Sequence, residues 1–139
     1  LGASGHVAAD ACQKFFRLGT PSTSLTITPD ILQFAGGSEP GEVIIFISHG
    51  GQWPELARAA ALARERGATV IALTDQGSKL ASLATIVFPC EGVEDPSVYT
   101  PMSSRLAHLA LLDALQVALA LVLGDTAVEK LKKSRQALQ

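Results

Sequence analysis

Aromatic and charged residues are scarce in this chain of 139 residues, where they make up 5% and 17% of the composition. Apolar residues make up 47%. The chain is therefore too apolar to be intrinsically disordered, because disorder requires low hydrophobicity and high net charge. Its length fits one domain. We expect a single folded unit whose core consists mostly of aliphatic side chains.

An excess of basic residues is also missing, and the formal net charge is -2. Nucleic-acid binding depends on Lys and Arg side chains that neutralise phosphates, so this stretch by itself is a poor nucleic-acid binder. Its two cysteines, Cys12 and Cys90, are too few for a disulfide scaffold, and no residues have the spacing of a metal site. We predict no metal, no cofactor and a reduced chain in the cytoplasm.

No basic segment followed by an apolar run opens the chain, so the sequence predicts no signal peptide. The longest apolar run, 106–123, contains His108, Asp113 and Gln116. A membrane span needs about 20 largely uncharged residues, and we therefore predict a buried helix here. Residues 1–5 are typical of a turn entered from a strand. This predicts that a strand precedes Leu1 in a longer protein.

Helical and strand patterns alternate along the chain. Helices are predicted at about 6–18, 30–35, 54–66, 78–84, 102–123 and 126–138. Strands are predicted at 25–28, 43–47, 69–73 and 85–88. Thr126 and Glu129 fit a capping box for the last helix. The alternation predicts an α/β fold in which a parallel sheet lies between two layers of helices.

Two small, glycine-bearing segments, 2–5 and 48–51, precede predicted helices. In parallel sheets, ligands bind beyond the carboxyl ends of the strands, where such segments lie. Backbone N–H groups and the positive end of a helix dipole attract anions there. Phosphate binding is one interpretation of these segments, and ordinary turns between strands and helices are the other.

Six segments taken in order resemble the SIS (sugar isomerase) domain of RpiR-type bacterial transcriptional regulators. They are Gly2–Gly5, Lys14–Arg17, Pro40–Ile44, Ile47–Gly51, Gly67–Thr74 and Gly77–Ala81. A seventh, Tyr99–Leu109, is similar to the HexR-like subgroup in particular. The resemblance covers nearly all of residues 1–139.

The resemblance implies a flavodoxin-like three-layer α/β/α sandwich, with the first strand and an N-terminal helix-turn-helix domain lying before Leu1. It also implies a regulator of carbohydrate metabolism genes, and we expect the domain to be non-enzymatic. We also predict a homodimer, because the helix predicted at 102–123 carries more apolar surface than one small domain can cover. The implied effector is a phosphorylated sugar acid, 2-keto-3-deoxy-6-phosphogluconate or a similar compound, which modulates DNA binding through the N-terminal domain. The helix predicted at 102–123 is the candidate dimer element.

Eight ligand-binding residues follow from the resemblance and the loop positions: Ser4, Gly5, Ser48, His49, Gly50, Gly51, Ser103 and Ser104. No catalytic residue is predicted. This sequence departs from the family's phosphate loop, because Gly50 and Trp53 stand where the family has hydroxyl side chains and Gln52 stands where the subgroup has Arg.

Other interpretations of these residues remain open. Ser103 and Ser104 could cap the long helix, and His49 could be an exposed loop residue. His108 is expected to be buried with its hydrogen bonds satisfied. A sugar-phosphate isomerase is an alternative function, with Glu55, His49 or His108 as the base. A domain that only dimerises is a third.

Overall fold

The computed structural model of this chain describes residues 2–90 and 102–139, so most of the segment between the strand predicted at 85–88 and the helix predicted at 102–123, which we expect to be a loop, lies outside the described residues. The helices are α1 Gly2–Arg17, α2 Thr28–Gly36, α3 Pro54–Glu65, α4 Lys79–Leu83, α5 Ser103–Leu123 and α6 Asp125–Gln136. The strands are β1 Val43–Ile47, β2 Thr69–Thr74 and β3 Ile86–Pro89.

The three strands form a parallel sheet in the order β1-β2-β3, with Val43 paired to Thr69 and Ile71 to Ile86. Successive side chains of a strand point to opposite faces. Val70 and Ala72 accordingly join a core cluster with α2, α3 and α4, whereas Ile71 and Leu73 join another with α1 and α5. Helices thus cover both faces of the sheet. This confirms the predicted three-layer α/β/α fold.

Helices α1 and α5 lie on the same face of the sheet and are joined by an ion pair. Lys14 Nζ contacts the carboxylate of Asp113 on α5 and lies 2.7 Å from Asp10 Oδ2 on α1. Hydrogen bonds to Asp10 and then to Asp113 raise the pKa of Lys14 above its ordinary value. The pairing fixes the longitudinal position of α1 against α5.

The strand predicted at 25–28 does not form, and α2 begins at Thr28 instead. A strand needs a hydrogen-bonded neighbour. Next to this segment lies a groove of about 640 Å³, lined by Thr20–Leu25 on one side and by β1 on the other. The segment does not belong to the three-stranded sheet of the described residues and stays irregular up to the start of α2.

The starts of α1 and α6 differ from their predictions. The segment predicted as a turn, Gly2–Gly5, is the first turn of α1. Gly124, with φ of 64°, precedes α6, so the capping box predicted at Thr126 and Glu129 is wrong. A positive φ suits glycine, which redirects the chain between α5 and α6 and starts α6 earlier than predicted.

Within the described residues, α5 is the one helix long and apolar enough to cross a membrane. One of its faces is buried in the domain and carries Ser104, His108 and Leu112. The opposite face is exposed, with Leu121 78% accessible. The prediction of a buried helix is therefore right for one face of α5 only.

Candidate functional site

The loop after β1 is held in place by the end of β2. Ser48 N–H donates a 3.0 Å hydrogen bond to the Leu73 carbonyl, and the His49 carbonyl accepts one of 2.9 Å from Asp75 N–H. These bonds continue the parallel ladder past the end of β1. Ser48 is buried and His49 is half-buried, so both residues have fixed positions at the carboxyl edge of the sheet.

Gly51 packs so closely that no side chain fits there. Its φ is +56°, and an added Cβ would lie 2.3 Å from Thr74 Oγ1 and 2.4 Å from Ser78 Oγ. Its carbonyl accepts a hydrogen bond from Leu80 N–H at 3.2 Å. Gly51 is therefore a structural glycine that draws the loop onto β2 and α4.

Gly50 differs from Gly51, because it faces open space. No atom of the described residues would lie within 4 Å of a Cβ added to Gly50. The loop therefore has room for a ligand on the Gly50 side. Trp53, which precedes α3, is 57% exposed, so it leaves the loop uncovered by its own ring.

The first turn of α1 contributes Ser4 and Gly5, both half-buried. A Cβ on Gly5 would lie 2.9 Å from Thr26 Cγ2, so glycine allows α1 to approach the 20–27 segment. Ser4 lines the groove beside β1 together with Ile47, the residue before Ser48. Ser4 thus lies beside the groove that runs along β1, whereas direct convergence of Ser4 and Ser48 on one ligand stays a prediction.

Ser103 and Ser104 lie in the first turn of α5, and Met102 precedes the helix as its N-cap residue. The interpretation of the serines as caps of the helix is therefore wrong, because both lie within the helix and Met102 occupies the capping position. Ser103 is exposed and Ser104 is 3% exposed, so only Ser104 faces the domain interior.

His108 follows Ser104 by one turn on the same buried face and is 2% exposed. Its Nε2 and the Nδ1 of His49 are both buried, and neither has a hydrogen-bond partner in the part of the chain that the structure describes. Burial, and after it the charge of His49, lower the pKa of His108 from 6.5 to about 4. The sequence predicted the burial of His108 correctly, but the expectation of satisfied hydrogen bonds is wrong.

Two other polar side chains, one of them the candidate isomerase base Glu55, lie on the surface. Glu55 in the first turn of α3 and His6 on α1 are both exposed. Cys12 and Cys90 are free thiols, and burial raises the pKa of Cys90. Across residues 2–90 and 102–139, no three His, Cys, Asp or Glu side chains are grouped so that they could hold a metal ion.

Known proteins are similar to this chain in sequence and in fold. The HTH-type transcriptional regulator HexR of Escherichia coli K12 is 39% identical over 142 residues, covering 100% of this chain and 48% of the regulator. The chain thus spans about half the length of this curated relative.

Two solved structures share the fold. The Vibrio vulnificus NanR protein complexed with ManNAc-6P superposes with a TM-score of 0.91 at 24% identity, covering 99% of this chain and 52% of that one. A proposed sugar-phosphate isomerase of Listeria monocytogenes has a TM-score of 0.77 at 28% identity, over 88% of this chain and 66% of its own. The SIS domain family matches residues 1–118. Together with the parallel sheet and the glycine-bearing loop after β1, this match shows that the chain belongs to the SIS domain family and is similar to the SIS domain of HexR-type regulators.

Proposed function

We propose that this domain is the effector-sensing part of a HexR-like transcriptional regulator of carbohydrate metabolism. Its effector is a phosphorylated sugar acid similar to 2-keto-3-deoxy-6-phosphogluconate. The effector binds at the carboxyl edge of the sheet and changes DNA binding by a separate helix-turn-helix domain. The identity of 39% with HexR supports this role, and the sugar-phosphate chemistry proposed for the Listeria relative supports a sugar phosphate as the ligand class.

The observation that carries the proposal is the rigid loop of Ser48 to Gly51. Its backbone is fixed by hydrogen bonds to β2, while the Gly50 side faces open space. Backbone N–H groups without nearby side chains suit a phosphate, and the Ser48 hydroxyl adds a further donor. Ser4 and Gly5 in the first turn of α1 and Ser104 in that of α5 complete the proposed ring of donors, with Ser103 at its rim. These residues bind the ligand and carry out no chemistry on it.

An isomerase like the one proposed for the Listeria relative is the weaker candidate, because two of the three candidate bases, His108 and Glu55, are poorly suited to proton transfer. An effective base has a pKa near the working pH. His108 has a pKa of about 4, and Glu55 is exposed on the surface of α3. We therefore propose that the domain has no catalytic residue and converts no sugar phosphate.

A second copy of this chain is the proposed partner of α5. Leu106, Val117 and Leu121 are 65, 58 and 78% exposed and follow one another along the helix face that carries Ala110 and Ala114. Such a continuous apolar stripe marks an interaction surface. Two such stripes can pack together, and the small alanines let the helices approach closely. A homodimer of this kind would position two DNA-binding domains, as palindromic operators require.

A thermal-shift screen of the purified chain tests the function. Phosphorylated sugar acids should raise the midpoint of unfolding, because a ligand that binds only the folded state stabilises it. Ser4→Ala and Ser48→Ala should each reduce that rise. A domain that only dimerises would show no stabilisation by any phosphosugar, and turnover of a phosphosugar that Glu55→Ala abolishes would favour the isomerase. The soluble, cytoplasmic location that we infer follows from the regulatory role.

A further inference from the structure

His49 and His108 present two buried ring nitrogens that nothing in residues 2–90 and 102–139 satisfies. Buried polar groups are almost always hydrogen-bonded, because an unpaired one is unfavourable. A buried pair of unpaired nitrogens therefore requires a physical reason. A partner supplied by a ligand is such a reason.

The fold places both rings beside the proposed phosphate loop. His49 is the second residue of that loop, and its carbonyl is held by Asp75 N–H at 2.9 Å. His108 lies one turn after Ser104 on the buried face of α5. Ile47, two residues before His49, packs against the core cluster that contains Leu112, one turn after His108 on α5. Because residues two apart along a strand face the same side, both histidines lie on the α1 and α5 side of the sheet. Two distant parts of the chain thus bring their imidazoles to one face of the sheet.

We infer that His49 and His108 form a second subsite, which receives the carboxylate of a phosphorylated sugar acid while the Ser48 loop receives its phosphate. This inference rests on the proposed function, since it assigns the other end of the same ligand. A neutral imidazole can carry its proton on either nitrogen, so each unpaired nitrogen can donate to a carboxylate oxygen. Hydrogen bonds to a charged acceptor are the stronger kind.

The subsite makes the two histidines specificity-determining residues. A phosphorylated polyol would occupy the phosphate loop but present a single uncharged hydroxyl in place of the two charged carboxylate oxygens, so it would satisfy the two imidazoles less well. Sites that hydrogen-bond a particular group discriminate against analogues that lack it, because their own buried polar atoms then remain unsatisfied. The domain should therefore prefer sugar acids to neutral sugar phosphates.

A matched pair of ligands tests this subsite by isothermal titration calorimetry. 6-Phosphogluconate and glucitol 6-phosphate have the same linear six-carbon skeleton and the same phosphate, and they differ only in the carboxylate at C1. The native chain should bind 6-phosphogluconate more tightly, by about tenfold. His108→Leu, which keeps the bulk of the side chain without its nitrogens, should abolish this preference.

Controls separate this inference from the proposed function. The thermal midpoint of His108→Leu without ligand should equal or exceed that of the native chain, which shows that the variant folds. His49→Gln, which retains an amide donor, should keep part of the preference. The subsite would be overturned, and the sensing function left intact, if the native chain bound both ligands with equal affinity. The same conclusion would follow if His108→Leu lost affinity for both ligands equally. Binding of neither ligand would overturn both.

Discussion

His49 at the end of β1 and His108 on α5 are electrostatically coupled: after burial, the charge of His49 is the second cause that lowers the pKa of His108 to about 4. The coupling joins the loop after β1 to the helix that carries the exposed apolar stripe. In the proposed sensor, a ligand held between these elements would contact both the phosphate loop and the dimer element. A difference in its affinity for two dimer arrangements would then shift the population between them.

The depressed pKa of His108 predicts a specific pH dependence of stability. Between about pH 6.5 and 4 the unfolded chain binds a proton at this residue that the folded chain does not, so the free energy of unfolding falls as the pH is lowered through this window. The slope is at most about 1.4 kcal/mol per pH unit. Chemical denaturation of the native chain and of His108→Leu at pH 7 and pH 5 checks this prediction.

The difference in stability between the two chains should grow as the pH falls. At pH 7 His108→Leu should be at least as stable as the native chain, because an apolar side chain of similar size removes an unpaired buried nitrogen. At pH 5 the free energy of unfolding of His108→Leu should exceed that of the native chain by a larger margin than at pH 7. An advantage that shrinks with falling pH would show that His108 is not held neutral in the folded state.

Gly50→Ser should strengthen phosphate binding. The structure leaves room for the side chain, since no described atom lies within 4 Å of the added Cβ, and the hydroxyl would supply one of the donors that the family loop has. We expect an affinity gain of about tenfold for a sugar phosphate. Calorimetry of Gly50→Ser beside Gly50→Ala separates the hydroxyl from the backbone effect.

A side chain introduced at Gly51 should have the opposite effect from one introduced at Gly50. A side chain on Gly51 would meet Thr74 Oγ1 and Ser78 Oγ and would have to adopt a positive φ. Gly51→Ser should therefore destabilise the fold and bind more weakly. Equal behaviour of the Gly50 and Gly51 variants would contradict the described loop geometry.

Leu121→Glu should dissociate the proposed homodimer. The substitution places a charge in the apolar stripe of α5, where Leu121 is 78% exposed in the single chain. We expect the dimer dissociation constant, measured by analytical ultracentrifugation, to rise at least about tenfold. Leu138→Glu is the control, because Leu138 is 85% exposed but lies beyond α6. A native chain that is monomeric at micromolar concentration would contradict the dimer.

The free edge of β1 predicts a place for another strand. Thr69 N–H bonds to the Glu42 carbonyl and Ser48 N–H to the Leu73 carbonyl, so the alternate residues Val43, Ile45 and Ile47 direct their N–H groups into the groove. In this chain those amides should exchange hydrogen at least about tenfold faster than their neighbours in β1. In a longer chain that includes the residues before Leu1, they should become protected. Equal rates in both chains would exclude a preceding strand from the groove.

The strands that the sequence predicted best are those whose partners lie within this chain. Residues 43–47 form β1 as predicted, and 69–73 form β2 with one additional residue, because continuous β-branched runs suit strands covered on both faces. The run 25–28 alternates apolar and hydroxyl side chains, which also suits a strand, but it does not belong to the three-stranded sheet of the described residues, so local sequence overstated it. Whether residues 25–28 form a strand depends on a neighbouring strand, which the local sequence pattern cannot show.

The site was only partly predictable for a similar reason. The position of Ser48, His49 and the glycines at the end of β1 follows from the α/β alternation. The difference between Gly50, which faces open space, and Gly51, which packs on Thr74, depends on tertiary packing. The same holds for His108: its helical position was predictable, but its unpaired nitrogen depends on what packs around it.

The central claim, that the loop after β1 holds the phosphate of a sugar acid, is tested most directly by calorimetric titration of 6-phosphogluconate into the native chain and into Ser48→Ala. Ser134→Ala on α6 serves as a remote control. We predict saturable binding to the native chain and to Ser134→Ala, and an affinity at least about tenfold lower for Ser48→Ala. Undiminished affinity in a folded Ser48→Ala variant, or no heat of binding with the native chain, would contradict the account.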